Sequence, residues 1–428
     1  MVMRKIFTSL VLSVLVLSSV SCQKENPFSD PTKNDNESGN TQTGGGSSEG
    51  TGSKEVVLWR NNDKVNGKTY ISFRIPTLLR TPNKLFAFIE ARTENTDRGD
   101  IDIVYKVSED NGKTWSESVL LYSDGDHTVG NACAVYTSSG RICMLFNWHV
   151  MRSAASGTYP SELGVTDAQR KAHSRRVFYT YSDDEGVTWA KPLDITETVM
   201  EKNWTWNAVG PVHAIQLKTG KYKDRIVWPC DLKTAAGGER ANLYSYVIYS
   251  DDNGQTFHKS AIIPYGNEST VVELSDGRLH LDMRNSNSSY YADGKACRAY
   301  SISNDGGATW GGYIYDESRP EPTPASGGTK GCQGVIENYN TDGVPSKNIL
   351  FMNPADAVKR QNLTLRWSND DGFTWRKSEV ICSTLAGYSD MVVLADGSLA
   401  MLYENGIGAY DDKISFRVKP ASEIEPYF

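Results

Sequence analysis

Apolar and polar residues alternate along most of the chain after about residue 54, whereas the spacing of an amphipathic helix is nearly absent. Runs such as "DIVYKV", "RVFYTY" and "LTLRW" are rich in β-branched and aromatic residues, as strands with a buried face are. The alternation therefore predicts an all-β protein.

One apolar run, "YISFRIPTLLR" (residues 70–80), contains a single arginine, Arg74, although its neighbours predict a buried strand. A guanidinium keeps its charge and does not belong in a core without an anionic partner. Pro76 lacks a backbone donor, so we expect the strand to end just past Arg74. The pattern raises the question of which anion Arg74 faces.

A tight turn recurs along the chain, with the pattern Ser-x-Asp-x-Gly-x-Thr-aromatic, and each copy follows a strand-like run. We expect the Asp to accept hydrogen bonds from amides two or three residues on, the Gly to adopt a positive φ, and the aromatic ring to pack against the sheet. The five copies are "SEDNGKTW" (108–115), "SDDEGVTW" (182–189), "SDDNGQTF" (250–257), "SNDGGATW" (303–310) and "SNDDGFTW" (368–375).

The spacing of these turns predicts the architecture. Their starts lie 74, 68, 53 and 65 residues apart, so each repeat holds several strands rather than a helix pair. Four-stranded antiparallel blades repeated radially form a β-propeller. Residues 54–428 at roughly 60 per blade predict a six-bladed β-propeller, with one blade lacking the turn.

The N-terminal residues have a different composition. Arg4 and Lys5 precede the apolar run "IFTSLVLSVLVLSSV", so residues 1–21 are predicted to be a secretion signal. The following "LSSVSC" resembles a bacterial lipoprotein signal with Cys22 as the lipidated residue, although Ser19 stands where leucine is usual. The alternative is an ordinary cleavable signal with an incidental cysteine.

Residues 22–53 are polar and rich in Gly, Ser and Asn, and they cannot bury enough apolar surface to offset the loss of chain entropy. They are predicted to be a flexible tether. Residues 54–428 contain no second low-complexity break, which indicates a single catalytic or binding domain.

Charge and cysteine spacing exclude several functions. The formal net charge is −7 and no basic stripe is visible, which argues against a nucleic-acid or anionic-membrane surface. We expect a membrane contact only through the lipid anchor. The six cysteines after Cys22 lack CxxC spacing and the histidines form no ligand-spaced cluster, so neither a metal nor another cofactor is predicted. Cys133 and Cys143 flank a turn and could pair.

Three arginines stand in strand-like surroundings that surface arginines do not usually occupy: Arg74, Arg284 and Arg360. A propeller can bring residues from the inner strands of different blades together at its axis. Three guanidiniums would repel one another there unless they bound an anion, and their fork geometry suits a carboxylate.

The combination resembles the sialidase (neuraminidase) superfamily. The resemblance runs from about Glu55 to Tyr427. It rests on the "FRIP" segment around Arg74, the five turns, which resemble Asp-boxes or BNR repeats, and the segments "ESTVVELSDGRLHLDMRN" and "YSDMVVLADGSLAMLYENG". It implies an exo-α-sialidase that removes terminal sialic acid from glycoproteins, glycolipids and oligosaccharides with retention of configuration.

The resemblance also assigns site residues. It implies that Arg74, Arg284 and Arg360 bind the substrate carboxylate, with Arg360 preferred over Arg366. It assigns Tyr388 as nucleophile and Glu268 as its partner. The remaining matches are Asp97 as acid/base, Arg92 at the pocket edge, Glu404 orienting the first arginine, and Asn131, where bacterial members often have aspartate.

The chemistry explains these residue types. The anomeric carbon of sialic acid carries a carboxylate that repels an anionic nucleophile, whereas a phenol is neutral. Tyr388, with an ordinary pKa of about 10, needs a base such as Glu268 within reach. Asp97 must be protonated for leaving-group departure and ionised to activate water.

The sequence leaves other functions open. The alternatives are a carbohydrate-binding propeller without catalysis, a trans-sialidase or intramolecular trans-sialidase, and a hydrolase of a related nonulosonic acid such as the deaminated form. Asn131 leaves open the polar contacts that would separate the last alternative from the first choice.

Overall fold

The computed structural model describes residues 54–151, 160–235, 243–287, 296–323 and 330–428. The predicted signal, the lipidation site Cys22 and the predicted tether all lie outside these ranges. Strands dominate the described residues, and the all-β prediction is confirmed. Within these ranges no helix has the length and apolar character that crossing a membrane requires.

The strands up to residue 194 begin with an N-terminal strand and a short hairpin. In chain order they are β1 (Val56–Arg60), β2 (Lys64–Val65), β3 (Lys68–Thr69), β4 (Ser72–Arg80), β5 (Leu85–Arg92), β6 (Ile101–Ser108), β7 (Val119–Tyr122), β8 (Thr128–Tyr136), β9 (Ile142–His149), β10 (Arg175–Ser182) and β11 (Leu193–Asp194).

Strands β4 to β7 and β8 to β11 form two antiparallel groups, and a single parallel pair between Ile101 and Thr128 joins them into one sheet. Two short α-helices, α1 (Asp167–Ala172) and α2 (Thr196–Val199), flank β10 and β11. Thr166 caps α1 by accepting the amide of Gln169, so the helix starts at a capping box.

The remaining strands make up three further sheets, one of which includes β1. In chain order they are β12 (Trp204–Val209), β13 (Ile215–Gln216), β14 (Ile226–Thr234), β15 (Leu243–Ser250), β16 (His258–Lys259), β17 (Ile263–Pro264), β18 (Ser269–Glu273), β19 (Leu279–Met283), β20 (Cys297–Ser303), β21 (Ile314–Pro320), β22 (Val335–Asn338), β23 (Ile349–Pro354), β24 (Gln361–Ser368), β25 (Lys377–Val393), β26 (Leu399–Gly406) and β27 (Lys413–Lys419).

The sheets follow chain order with one exception. Strands β12 to β17 form one antiparallel sheet, β18 to β21 form another, and β22 to β27 form a third. The exception is β1, which pairs with β27 at the opposite end of the chain. Two 3₁₀ turns, Ala421–Glu423 and Glu425–Tyr427, follow β27.

Six strands, one from each of the first four groups and two from the last, lie side by side. Strand β4 packs beside both β8 and β25, β13 packs beside β8 and β18, and β22 packs beside β18 and β25. These contacts close a ring of inner strands. Apolar residues between neighbouring sheets form the core, for example Tyr179 and Trp228 in one cluster and Phe73 and Phe416 in another.

One expectation about local structure is wrong, and one question that the sequence left open has an answer. Pro76 does not end its strand, because β4 continues to Arg80 through a bulge between Arg74 and Thr77. Cys133 and Cys143 are not bonded to each other. They lie on paired strands, but Cys133 stands opposite Leu145, and all six cysteines in the described ranges are free.

Candidate active site

Eight of the nine predicted site residues line one cavity of about 210 Å³. Four of them lie on β4, β5, β8 and β25, and the other four lie in connecting segments. The ring of inner strands brings them together. The eight are Arg74, Arg92, Asp97, Asn131, Glu268, Arg284, Arg360 and Tyr388. The ninth, Glu404, lies directly behind Arg74.

The anionic partner of Arg74 is Glu404 on β26. Arg74 donates from Nε and Nη2 to the two carboxylate oxygens over 3.0 and 3.2 Å. The same carboxylate accepts the amides of Ile75 and Tyr388, each at 3.0 Å. Glu404 is fully buried, so it fixes the first arginine relative to the strand that carries Tyr388.

Irregular backbone turns three site residues toward the cavity. The strand register shifts next to Arg74, next to Asn131 and next to Tyr388. Ile75 and Asn131 adopt positive φ values of 61° and 54°, which is unusual for a β-branched residue such as isoleucine. A β-bulge re-aims the side chains of its strand, and bulges are frequent near active sites.

The three arginines converge on the ring of Tyr388. The guanidinium carbons of Arg74 and Arg360 lie 5.2 and 5.3 Å from its centroid. Arg284 Nη1 lies 3.3 Å from the Tyr388 hydroxyl and 2.8 Å from Glu268 Oε2. Arg366, the alternative considered for Arg360, does not line the cavity and instead donates to Asn353.

The phenol of Tyr388 donates a hydrogen bond to Glu268 Oε1. Burial and the charge of Glu268 raise the pKa of Tyr388 well above its ordinary value. The phenol is therefore neutral in the free protein, and the acceptor for its proton is already in place. Cys332 and Ile75 pack in the same buried cluster as Tyr388.

Asp97 lies at the open end of the cavity with an exposed side chain. It accepts from Arg92 Nη1 at 2.9 Å, and Arg74 Nη1 lies 3.9 Å away. Desolvation acts to raise the pKa of Asp97, but the charges of Arg92 and Arg74 outweigh it and lower that pKa below its usual range. Arg92 is held in turn by Glu90, which also accepts the amide of Asn131 at 2.8 Å.

Two carboxylates close to Asp97 in sequence, Asp100 and Asp102, are the alternatives for the acid role, but they lie outside the cavity. Asp100 and Asp102 both accept from Lys68 at 2.8 Å, and Asp102 also accepts from Tyr70 at 2.5 Å. Neither lines the cavity. No group of His, Cys, Asp and Glu side chains in the described parts of the chain could hold a metal ion.

Several cavity residues were missed by sequence reasoning. They are Glu90, Arg175, Trp206, Asp231, Lys233 and Tyr410. Asp231 stands in the apolar run "RIVWPCDL", which is the same signal that singled out Arg74 and could have identified it. Arg175 precedes another arginine at the start of a strand, and nothing in the sequence shows which of the two faces the cavity.

Comparisons with known proteins agree with one another. Residues 83–401 match the profile of the BNR repeat-like domain family. The chain is 30% identical to a sialidase of Paraclostridium sordellii, over 84% of this chain and 87% of that one. It is also 30% identical to a sialidase of Micromonospora viridifaciens over 80% of this chain, but spans only 52% of that protein.

Among solved structures, a Hadza microbial sialidase, Hz136, superposes with a TM-score of 0.67 at 24% identity. The match covers 83% of this chain and 67% of that one, and at this identity it shows a shared fold.

Proposed function

Because the chain belongs to the sialidase family, a family of glycoside hydrolases, we propose that it is a retaining exo-α-sialidase. Its substrates are terminal α-linked sialic acids on glycoproteins, glycolipids and oligosaccharides. The proposal rests mainly on the hydrogen bond from Tyr388 to Glu268, at the point where three arginines converge.

Substrate binding relies on Arg74, Arg284 and Arg360. A carboxylate on these guanidiniums replaces mutual repulsion with charge-assisted hydrogen bonds, each worth roughly 1.5–3 kcal/mol. The carboxylate is attached to the anomeric carbon, so binding it also sets that carbon near the Tyr388 hydroxyl. Glu404 keeps Arg74 in place but does not itself contact the sugar.

The covalent step begins at Tyr388. Glu268 takes the phenolic proton as the oxygen bonds to the anomeric carbon, and Arg284, 3.3 Å from that oxygen, stabilises the negative charge that develops on it. The aglycone oxygen leaves with a proton from Asp97. Water activated by Asp97 then displaces the tyrosine, so two inversions give overall retention.

Asp97 starts ionised because Arg92 and Arg74 lower its pKa. A substrate carboxylate on Arg74 offsets part of that positive charge and raises the pKa of Asp97. The acid therefore gains its proton in the complex rather than in the free protein. This coupling explains how one aspartate serves first as acid and later as base.

The product and the nucleophile can be tested together. A natural sialoside is incubated with the wild-type protein and with Tyr388→Phe, and the released sugar is analysed by mass. Free sialic acid as the product supports hydrolysis. An anhydro sugar or a new glycoside as the product would show that the reaction is a transfer instead. Tyr388→Phe should keep analogue binding and lose turnover by orders of magnitude, and near-normal turnover would refute the covalent route.

The acid role of Asp97 has its own test. An aryl sialoside has a leaving group of low pKa that needs little protonation, so Asp97→Ala should lose far less activity on it than on a natural glycan. Equal losses on both substrates by a folded variant would remove Asp97 from the acid role.

The blade number is six in this proposal. The supporting observation is the closed series of inner-strand contacts through β4, β8, β13, β18, β22 and β25. Strand β25 has 17 residues and pairs with β24 through its first part and with β26 through its second. It therefore serves as the outer strand of one blade and the inner strand of the next.

The cellular location is proposed from the sequence alone. Lipid on Cys22 holds the domain at a membrane through residues 22–53, in the periplasm or at the cell surface. Full-length protein and Cys22→Ala are expressed in a bacterial host and fractionated. The wild type should sediment with membranes and the variant should not, and equal distribution would exclude the anchor.

A further inference from the structure

Four consecutive residues, 330–333, lie next to the candidate active site without lining its cavity and are here called the strap. They come just before β22 in the chain. Two of the three converging arginines donate to backbone oxygens of the strap. Arg284 donates from Nε to the oxygen of Lys330 at 3.1 Å, and Arg360 donates from Nη2 to the oxygen of Gly331 at 3.2 Å.

The next carbonyl of the strap is held by another arginine, which lies outside the cavity. Arg298 of β20 donates from Nη1 to the backbone oxygen of Cys332 at 2.8 Å. Arg298 is fully buried, and Asp282 and Glu321 neutralise it through hydrogen bonds of 2.8 Å. Three consecutive carbonyls thus accept from three guanidiniums, and the buried, paired charge of Arg298 anchors the strap to the neighbouring sheet.

Gln333, the last residue of the strap, connects it to the strand that carries Tyr388. The Gln333 side chain donates from Nε2 to the backbone oxygen of Ser389 and accepts the amide of Ser389 at Oε1, both over 2.9 Å. Only 1% of Gln333 is exposed and Ser389 is fully buried, so bulk water does not reach these groups.

These two hydrogen bonds lie where β25 is irregular. The pairing of β25 with β24 ends before Tyr388, and the register with β26 shifts just before Ser389. Gln333 supplies at Ser389 the pairing that a neighbouring strand would otherwise supply. The amide of Tyr388 itself is held by Glu404 at 3.0 Å. Two side chains from other strand segments therefore fix the backbone on either side of the Tyr388 side chain.

Loss of the Gln333 side-chain amide would leave a buried N–H and a buried carbonyl of Ser389 without partners. Because unpaired buried polar groups cost free energy, the backbone there would move to find other partners and would displace Tyr388. A displacement of about 1 Å between reacting atoms can lower a rate about 100-fold. The arginines would keep their places, since the oxygens of Lys330 and Gly331 and the carboxylate of Glu404 hold them separately.

We propose that Gln333 is a positioning residue: acting through Ser389, it aligns the Tyr388 hydroxyl with the anomeric carbon of the bound sugar. This role rests on the proposed function. The alignment is direct because the strap that carries Gln333 also holds Arg284 and Arg360, which bind the substrate carboxylate. The attacking oxygen and the carboxylate next to the attacked carbon are thus positioned against the same four residues.

Gln333→Met tests the role, because it keeps a side chain of similar size and removes both hydrogen bonds. Calorimetric titration with an unsaturated sialic acid analogue gives the Kd and the fraction of binding-competent protein. Single-turnover release of the aryl alcohol from an aryl sialoside, divided by that fraction, should fall at least tenfold while the Kd stays within threefold. A smaller fall in rate would overturn the inference, and so would an equal rise in Kd, which would place the effect in binding.

Gln333→Glu adds a pH signature. A protonated carboxyl group can donate to the backbone oxygen of Ser389 and accept its amide, as the glutamine does, whereas an ionised one can only accept. The single-turnover rate of the variant relative to wild type should therefore fall at least tenfold between pH 5 and pH 8. A relative rate that does not change with pH would overturn the inference. This measurement decides the question if Gln333→Met does not fold.

Asn338→Leu is the matched control, at the other end of β22. Asn338 is also buried, and its side chain also donates to the backbone oxygen and accepts the amide of one serine, Ser346, at 2.8 and 2.9 Å. Ser346 precedes β23 and lies on no strand that carries a site residue. Asn338→Leu should lower the unfolding midpoint but leave the rate per binding site within twofold. Equal losses of rate in Asn338→Leu and Gln333→Met would overturn the inference.

The same experiments separate this inference from the proposed function. If the wild type cleaves no sialoside, both are overturned. If the wild type cleaves the aryl sialoside and Gln333→Met does so at an unchanged rate per binding site, only the positioning role of Gln333 is overturned.

Discussion

Arg74 and Asp231 show two ways in which a charged residue occupies an apolar strand. Arg74 is neutralised by Glu404, which also ties two strands together through backbone amides. Asp231 has no such partner among the described residues, so its charge is costly in the free protein. The pairing with Glu404 holds Arg74 rigidly in a position to bind an anion. The unpaired carboxyl group of Asp231 instead lowers the stability of the folded protein.

This cost at Asp231 predicts a pH-dependent stability difference. The pKa of Asp231 is about 7 in the folded protein against 3.8 ordinarily, so the folded state holds a proton that the unfolded state has released. Stability is therefore lost as pH rises through this range, by roughly 1.4 kcal/mol per pH unit. Asp231→Asn cannot ionise and escapes the loss.

We expect Asp231→Asn to become more stable relative to wild type between pH 5 and pH 8, by roughly 2–3 kcal/mol. Thermal unfolding of both proteins at the two pH values measures it. A stability difference that does not change with pH would show that Asp231 is already ionised, or already paired, in the folded protein.

At the residue scale, the side chains assigned from family motifs lie close together, and their roles stay predictions. The structure places Arg74, Asp97, Glu268 and Tyr388 around one cavity, as those motifs led us to expect. Arg175 was missed because β10 begins with two adjacent arginines. Neighbouring residues of a strand point to opposite faces, and the sequence does not show which of the two faces the cavity. The pairing of Glu404 with Arg74 spans 330 residues, so the family resemblance implied it but no local pattern contains it.

At the scale of elements, the five recurring turns share one hydrogen-bond arrangement. In the turn at 303–310, Asp305 accepts from both the amide and the hydroxyl of Thr309, four residues on, at 2.8 and 2.6 Å. Ser303 donates to Asp305 and accepts the amide of Gly307. The predicted turn is present. Its aspartate accepts an amide four residues on, and in the turn at 250–257 Asp252 also accepts the amide of Gln255, three residues on, at 3.0 Å.

These turns also make packing contacts between neighbouring strand groups. Gly112 and Gly186 adopt φ values of 83° and 80°, and a Cβ at either position would overlap the ring of Phe416 or Phe86. Each of these rings belongs to a strand group other than that of the turn it contacts. Glycine is therefore needed both for the backbone conformation and for the contact between groups.

We expect Asp305→Ala to lower the unfolding midpoint by roughly 2–4 °C, about 1 kcal/mol, while sialidase kcat stays within twofold. Asn304→Ala changes the exposed neighbouring residue of the same turn and should alter neither quantity. Differential scanning calorimetry and an aryl sialoside assay measure both. A loss of activity without a loss of stability in Asp305→Ala would give the turn a functional role that this structure does not explain.

The strand pattern was predictable because alternation and turn chemistry are local. The path of β4 through Pro76 was not, because the bulge there is stabilised by Glu404 from a distant strand, which accepts the amide of Ile75. Strand β25 shows the same limit. Only the tertiary pairing shows that the first part of its 17 residues pairs with β24 and the second part with β26.

For the whole molecule, the important contact is the one between the N-terminal strand and the last strand. Strand β1 pairs with β27, and Trp59 of β1 donates to Ser118, which follows β6, at 2.9 Å. Trp59 and Leu58 are both buried. The N-terminal strand thus joins the last strand group to the first, and sequence alternation alone could not reveal which strand it would pair with.

The contribution of β1 to stability can be tested with chains that start at different residues. A chain that starts at Lys54 keeps β1, and we expect it to match the full-length protein in unfolding midpoint and in kcat on an aryl sialoside. A chain that starts at Asn61 lacks β1, exposes the edge of β27 and loses the burial of Leu58 and Trp59. It should unfold at least 10 °C lower or fail to remain soluble.

Point variants separate the loss of side-chain packing from the loss of backbone pairing. Trp59→Ala in the chain that starts at Lys54 should cost roughly 3–5 kcal/mol, because the side chain is buried between strand groups. Arg60→Ala, at the exposed end of the same strand, should cost less than about 0.5 kcal/mol. Urea denaturation monitored by tryptophan fluorescence and circular dichroism measures both. If the chain starting at Asn61 were as stable as the one starting at Lys54, β1 would not hold the last strand group to the first, and the stable domain would begin after β1.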